Sequence, residues 1–237
     1  MAEASNRNAL VTGAAGGMGR AITKALVESG RRVVLADRDP ASLREFAAKM
    51  GDKTFPIELD ITDAKAVDRL PDLIPDTFKP IDILVNNAGH DIGGRTRFDA
   101  GPADDWSGII QTNLIGLMRV TRSLLPDMVR RDAGHIVNVS SINAVRIVPD
   151  MAAYSASKAG VHMFTETLRG ELAETAIRVT EMQSGLTRTN IILTRYRGDR
   201  EKKKTISTSS RWRSIRPILP GRSSLRWTSR RMFRLRR

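Results

Sequence analysis

Tyr154-Ser-Ala-Ser-Lys158 places a phenol and an ammonium four residues apart, a spacing that puts both on one face of a helix. The pairing suits proton transfer to or from an oxygen. A free phenol, with a pKa near 10, is a poor base at neutral pH. A cation about 4 Å away is worth about 4 kcal/mol at an effective dielectric near 20, before desolvation, enough to lower that pKa by up to about three units. With two tyrosines and nine lysines in the chain, a chance Tyr-x-x-x-Lys has a probability of about 8%, so the pair alone could be surface decoration. Thirteen residues upstream, however, Gly134-His-Ile-Val-Asn-Val-Ser-Ser141 reads as a buried strand ending in two hydroxyls.

A second cluster points to an anionic ligand. Thr12-Gly13-Ala14-Ala15-Gly16-Gly17-Met18-Gly19 follows an apolar strand and opens a helix. Glycines there let the backbone pass close to a pyrophosphate, which can rest against the partial positive charge of the helix N-terminus. An ordinary strand-to-helix turn would also use glycines, but Asp37 closes the next strand, where a carboxylate can accept the hydroxyls of an adenosine ribose. Asp37 would repel a 2′-phosphate, which favours NAD. Arg38 beside it could clamp that phosphate, which leaves NADP open.

The elements that must position these groups alternate. Strands are expected at 8–13, 32–37, 54–60, 81–86, 134–139 and 176–182. Helical character falls from Gly19 to Gly30, from Asp39-Pro40 to about Met50, near 63–70, over 104–131 and over 154–173. Near-continuous apolar strands alternating with helices imply a doubly wound parallel sheet, an α/β Rossmann-like fold of three α/β/α layers in one domain. Such a sheet binds ligands at the carboxyl ends of its strands, where the strand order reverses.

With these elements in order, the chain resembles the short-chain dehydrogenase/reductase family. The glycine turn has that family's T-G-x-x-x-G-x-G form, the interval from Ser141 to Tyr154 is the family's, and Asn86-Asn87-Ala88-Gly89 and Asn113 fall where the family has them. The resemblance implies an NAD(P)-dependent oxidoreductase that interconverts a secondary alcohol and a carbonyl by hydride transfer. It implies catalytic roles for Asn113, Ser141, Tyr154 and Lys158. Ser141 would bond the substrate oxygen, Lys158 would tune Tyr154 and hold the nicotinamide ribose, and Asn113 would hold a water of the proton relay. Cofactor contacts would come from Gly13, Gly16, Gly17, Met18, Gly19, Asp37, Arg38, Asp60, Ile61, Asn87, Ala88, Gly89, Tyr154, Lys158, Gly185, Thr187 and Thr189. NADP-binding members often carry a basic residue just before the middle glycine; Gly16 stands there, which leans to NAD. Ser184-Gly185 replaces the family's usual Pro-Gly, so the geometry of the loop carrying Thr187 and Thr189 departs from the pattern.

The substrate is less legible. Between Ile142 and Ala153 the only charges are Arg146 and Asp150. Arg178-Val-Thr-Glu181 and Arg195-Tyr-Arg-Gly-Asp199 resemble the branch that oxidises serine and other small 3-hydroxy acids. An arginine there could pair with a substrate carboxylate or simply be solvated. His90, His135 and His162 are scattered, so they read as structural and no metal is expected.

Composition sets the remaining bounds. The absence of cysteine excludes disulfides and thiol nucleophiles. No apolar run reaches the ~18 residues of a membrane span and no secretory leader is visible, so a soluble cytoplasmic protein is expected. The net charge of +13 has one source: residues 1–201 carry 26 basic and 26 acidic side chains, and residues 202–237 carry 13 basic and no acidic ones. Residues 1–201 therefore read as the catalytic domain and 202–237 as an atypical tail in place of the family's last helix and strand. Codons for Ser209 to Ser224, read one base out of register, can spell a typical Asp-Pro-x-Asp-Ile-Ala helix opening, so a frameshift near Lys202–Lys204 is the expected cause. The resemblance implies a homodimer or homotetramer, which such a tail would disturb, leaving a cofactor-binding but impaired enzyme as an alternative. A basic tail gripping nucleic acid is a further reading, but its bases and aromatics have no regular placement, so no specific nucleic acid is expected.

Overall fold

A computed structural model describes residues 7–185. Within it a six-stranded parallel sheet runs in the order β3-β2-β1-β4-β5-β6. The strands are β1 (Asn8–Thr12), β2 (Val33–Asp37), β3 (Thr54–Glu58), β4 (Ile81–Asn86), β5 (His135–Ser141) and β6 (Arg178–Ser184). The helices between them are α1 (Gly17–Glu28), α2 (Pro40–Met50), α3 (Ala64–Asp68), α4 (Leu70–Leu73), α5 (Ala103–Ile110), α6 (Leu117–Arg130) and α7 (Ala152–Glu171). The order reverses between β1 and β4, so their carboxyl ends form the crevice expected to take a ligand.

The apolar strands are continuous because successive residues bury opposite faces. Ala9, Val11, Val33, Leu35, Ile83 and Val85 point to one side, against Leu43 and Phe46 of α2 and Met18 and Ile22 of α1. Leu10, Val34, Leu84 and Ile136 point to the other, against Val120 and Leu124 of α6 and Leu168 of α7. Both faces are covered, which gives the three-layer doubly wound fold that the sequence implies. Gly30 follows α1 at φ 91°, and the Asp39 carboxylate caps α2 by accepting the Ser42 amide at 3.1 Å, with Pro40 in the first turn.

Most boundaries shift by one or two residues from the sequence reading. The last helix runs over Ala152–Glu171 rather than 154–173 and the last strand over Arg178–Ser184 rather than 176–182, while the helical stretch near 63–70 is the two short helices α3 and α4. The first helix starts at Gly17, two residues before the expected start at Gly19. The third strand ends at Glu58 rather than 60, because the Asp60 carboxylate accepts both the amide (2.9 Å) and the hydroxyl (2.7 Å) of Thr62 and turns the chain. The helix expected over 104–131 is α5 and α6 joined by a π-helical segment, Gln111–Gly116. A Cβ on Gly116 would lie 2.7 Å from the Ile61 side chain, so only a glycine lets this segment approach so closely. π-helical turns are frequent at functional sites, and this one carries Asn113. Thr187, Thr189, the Arg195–Asp199 stretch, the boundary at 201 and the proposed frameshift lie outside the described residues.

Candidate active site

The glycine turn is held by the ends of three strands. Thr12 Oγ1 accepts the amides of Asn87 (3.0 Å) and Ala88 (3.1 Å), and Asn87 Nδ2 donates to the carbonyls of Thr12 (2.9 Å) and Gly13 (3.1 Å). This locks β1 to the chain leaving β4. Gly13 sits at φ 64°, and a Cβ there would lie 2.8 Å from the Ala88 Cα; one on Gly19 would lie 2.1 Å from the Gly13 carbonyl. Neither position tolerates a side chain, so Asn87, Ala88, Gly13 and Gly19 specify one another. Gly16 is the N-cap of α1 and its own amide donates to the Gly13 carbonyl at 3.2 Å, while no side chain caps the helix, so the first-turn amides of Gly17 and Met18 retain capacity for an anion.

Asp37 ties the second strand to the same turn. Its Oδ2 accepts the Ala15 amide at 2.9 Å and its Oδ1 accepts the Asp39 amide at 3.0 Å. A carboxylate offers about four acceptor sites, so Asp37 can hold the turn and still receive ribose hydroxyls. Arg38 borders an open cleft of about 460 Å³ together with Thr62, His90 and Thr112. Ile61 is buried beneath Gly116, while Asp60 is exposed and engaged with Thr62. Gly185 lies exposed after β6. The residues thus fit a dinucleotide: the turn is a bare backbone cradle opposite a carboxylate that would accept hydroxyls.

The residues expected to move the proton lie around the carboxyl ends of β4 and β5. Lys158 is buried among these elements, and its Nζ donates to the Val139 carbonyl at 2.9 Å. The Nζ also sits 5.9 Å from the centre of the Tyr154 ring. Burial pushes the Lys158 ammonium down to about 8; the charges of Asp91 and Glu181 partly oppose this. Ser141 ends β5 with its Oγ accepting the Asn143 amide at 3.2 Å. Asn113 is fully buried: its Oδ1 accepts the His90 amide (2.9 Å), and its Nδ2 donates to the His90 carbonyl (2.9 Å) and Ser157 Oγ (3.1 Å). A Cβ on Gly89 would lie 3.0 Å from Asn113 Oδ1 and 3.6 Å from Lys158 Nζ, so Gly89 lets these two side chains close on one point.

Several participants carried no independent signal in the sequence. Thr12 was visible only as the first letter of the glycine motif, and its clamping role needed the β1–β4 junction. Ser157 was one of the residues between Tyr154 and Lys158, and only the helix shows it bridging to Asn113. Buried Asn86 donates to Thr121 Oγ1 and Asn138 Oδ1, both at 2.9 Å, and Asn138 Nδ2 donates to Thr165 Oγ1 at 2.9 Å. That network joins β4, β5, α6 and α7 behind the site. The histidines are placed as follows. His90 Nε2 lies 3.1 Å from Thr112 Oγ1, and burial, aided by Arg38, holds its pKa below the ordinary value. His135 is buried against Thr180, and desolvation first, then Arg178 and Arg7, lower its pKa to about 4. His162 Nδ1 lies 2.8 Å from Glu181, and with Glu166 their ligand atoms fall within 4.8 Å of one another. That grouping spans α7 and β6 and could not be read from spacing.

Known proteins share this fold. The family model described as short chain dehydrogenase matches residues 7–199. An NADP-dependent 3-hydroxy acid dehydrogenase of Salmonella typhi is 36% identical over 194 residues, which are 81% of this chain and 78% of that protein. The closed form of a serine dehydrogenase complexed with NADP+ superposes with a TM-score of 0.81 at 35% identity, covering 85% of this chain and 82% of that one. An NAD+-bound xylitol dehydrogenase superposes with a TM-score of 0.72 at 32% identity, covering 76% and 70%. Among the described residues no helix is long and apolar enough to cross a membrane.

Proposed function

The chain belongs to the short-chain dehydrogenase family, and we propose that it interconverts a secondary alcohol and its carbonyl with NAD, using Tyr154 as the acid–base group. The observation that carries this reading is the burial of Lys158 within 5.9 Å of the Tyr154 ring, at the strand ends that also carry Ser141 and the glycine turn. When bound, the cofactor would take or supply the hydride at the carbinol carbon. The protein's own work is the rest. Tyr154 takes the hydroxyl proton during oxidation or returns it during reduction. The Lys158 ammonium favours the phenolate through its field, and below about pH 8 that charge is in place. Ser141 Oγ stands at the end of β5 to bond the substrate oxygen. Asn113, held by His90 and Ser157, keeps the chain after Gly89 in position beside Lys158, and a water bound there would connect the proton path to solvent.

Asp37 supports NAD over NADP, because its carboxylate sits where a 2′-phosphate would be repelled. A second reading, NADP, is favoured by Arg38, which lines the open cleft beside Thr62 and is placed to pair with such a phosphate. NADP in two of the similar proteins also supports it. For the substrate, the relatives that act on 3-hydroxy acids and serine support a small 3-hydroxy acid. The test is to follow reduction of NAD and NADP spectroscopically across a panel of small alcohols and 3-hydroxy acids. Turnover of at least one alcohol, faster with NAD, is expected; cofactor binding without turnover of any would contradict the enzyme reading.

A further inference from the structure

One turn along α7 from Lys158, the helix and β6 bring three ligand-bearing side chains together. His162 and Glu166 stand four apart on α7 and so share one face of it, and Glu181 lies at the centre of β6. His162 Nδ1 is 2.8 Å from Glu181 Oε2, and one ligand atom from each of the three residues falls within 4.8 Å of the others. The Glu181 side chain is buried, with 8% of its surface exposed. Its Oε2 also accepts Gln183 Nε2 at 3.2 Å. Its Oε1 is enclosed and has no hydrogen-bond partner among the described residues. A buried carboxylate oxygen without a donor is unfavourable, so a cation at that oxygen would stabilise the fold. The neighbouring cations do not reach it. Arg169 bonds Glu166 Oε1 at 2.6 Å and the Val179 carbonyl at 3.2 Å. Lys158 donates to the Val139 carbonyl and feels Glu181 through its field.

One imidazole nitrogen with two carboxylates is a donor set for a divalent first-row transition ion such as zinc. We propose that His162, Glu166 and Glu181 form a binding site for such a cation, which clamps α7 to β6. Around a tetrahedral zinc with bonds of about 2.1 Å, ligand atoms stand about 3.4 Å apart. His162 and Glu181 are close to that separation already. Glu166, with 44% of its side chain exposed, is free to turn inward, and the oxygen not bonded to Arg169 is the one it offers. The cation takes the place of the proton between His162 Nδ1 and Glu181, which leaves to solvent. Competing ligands are few: the chain has no cysteine and three histidines, and residues 202–237 carry neither acid nor histidine. His90 and His135 lie against the hydroxyls of Thr112 and Thr180. The proposal does not depend on the reading of Tyr154.

The experiment titrates zinc into the full untagged chain by isothermal calorimetry, at neutral pH in a buffer that does not bind metal. The melting temperature is recorded with and without zinc. Expected is one zinc per chain, and a rise in melting temperature of roughly 5–10 °C at ~100 times the dissociation constant. His162→Gln and Glu166→Gln should each weaken zinc about tenfold or more. Glu166 is exposed and its ion pair with Arg169 lies at the surface, so Glu166→Gln should melt near the parent in the absence of metal. That variant separates a lost ligand from a lost fold. A zinc affinity that either substitution leaves unchanged, or no zinc bound by the parent chain, overturns the proposal.

Discussion

The two halves of the crevice are built differently. At the glycine turn, backbone meets backbone: Gly13 lies against Ala88, Gly19 against the Gly13 carbonyl, and Thr12, Asn87 and Asp37 spend their polar atoms holding these contacts. Around a small cavity beside Tyr154, side chains on two segments, 91–109 and 150–154, set the surface. There Phe98 is exposed, and Asp150 adopts a left-handed conformation. A region where backbone packs this closely on backbone can change little without losing its ligand. A region of loop side chains can change charge and shape while the turn and the Tyr154–Lys158 pair persist. The first half therefore speaks to the class of reaction and the second to the choice of substrate.

The strongest way to break that division is Tyr154→Phe, which removes one hydroxyl and leaves the glycine turn untouched. Turnover should fall by about 10²–10⁴-fold, while the NADH-induced rise in melting temperature stays as in the parent. Unchanged turnover would show that proton transfer does not run through Tyr154. Gly19→Ala attacks the other half. Its methyl would need the space of the Gly13 carbonyl, so the turn must open, at a cost of about 1–3 kcal/mol. Cofactor affinity should fall about 10- to 100-fold, the same energy as a ratio, in a titration of NADH fluorescence.

Lys158→Met separates function from stability. The folded chain holds the Lys158 proton only up to about pH 8, whereas an unfolded lysine holds it to about 10.5. Between those values the unfolded state binds more protons, so stability rises with pH; below about pH 8 the buried charge weighs fully against the fold. The methionine variant should lose most activity yet melt no lower than the parent at neutral pH, and any gain in melting temperature should shrink toward pH 10.5. A large loss of stability at neutral pH would contradict the desolvation account. The smallest effect is expected for Asp37→Asn. The side chain can still accept the Ala15 amide, but its charge is gone, so the ratio of NADPH to NADH affinity should rise several-fold, about 1 kcal/mol. A fall in that ratio would undo the reasoning for NAD.

Much of this is legible in the sequence. The strands announced themselves because both of their faces are buried, and the sequence put Gly13, Asn87 and Ser141 at strand ends and Asn113 and Tyr154 on helices. The Asp39-Pro40 start of α2 followed from capping chemistry alone. What could not be read depends on contacts between distant segments. The π-helical turn at Asn113 follows from Gly116 packing against Ile61, fifty-five residues away in sequence. The pairing of His162 with Glu181 joins a helix to the sixth strand, so a histidine that looks isolated in sequence has a carboxylate 2.8 Å away.

The most direct test of the central claim, that the described crevice holds a nicotinamide cofactor, is a thermal melt of the purified chain with and without saturating NADH or NADPH. Ligand at ~100 times its dissociation constant should add about 2.7 kcal/mol, a rise of roughly 5–10 °C for a domain of this size. A cooperative transition that rises with NADH and less with NADPH is the predicted result. A cooperative transition that neither cofactor moves would contradict the account.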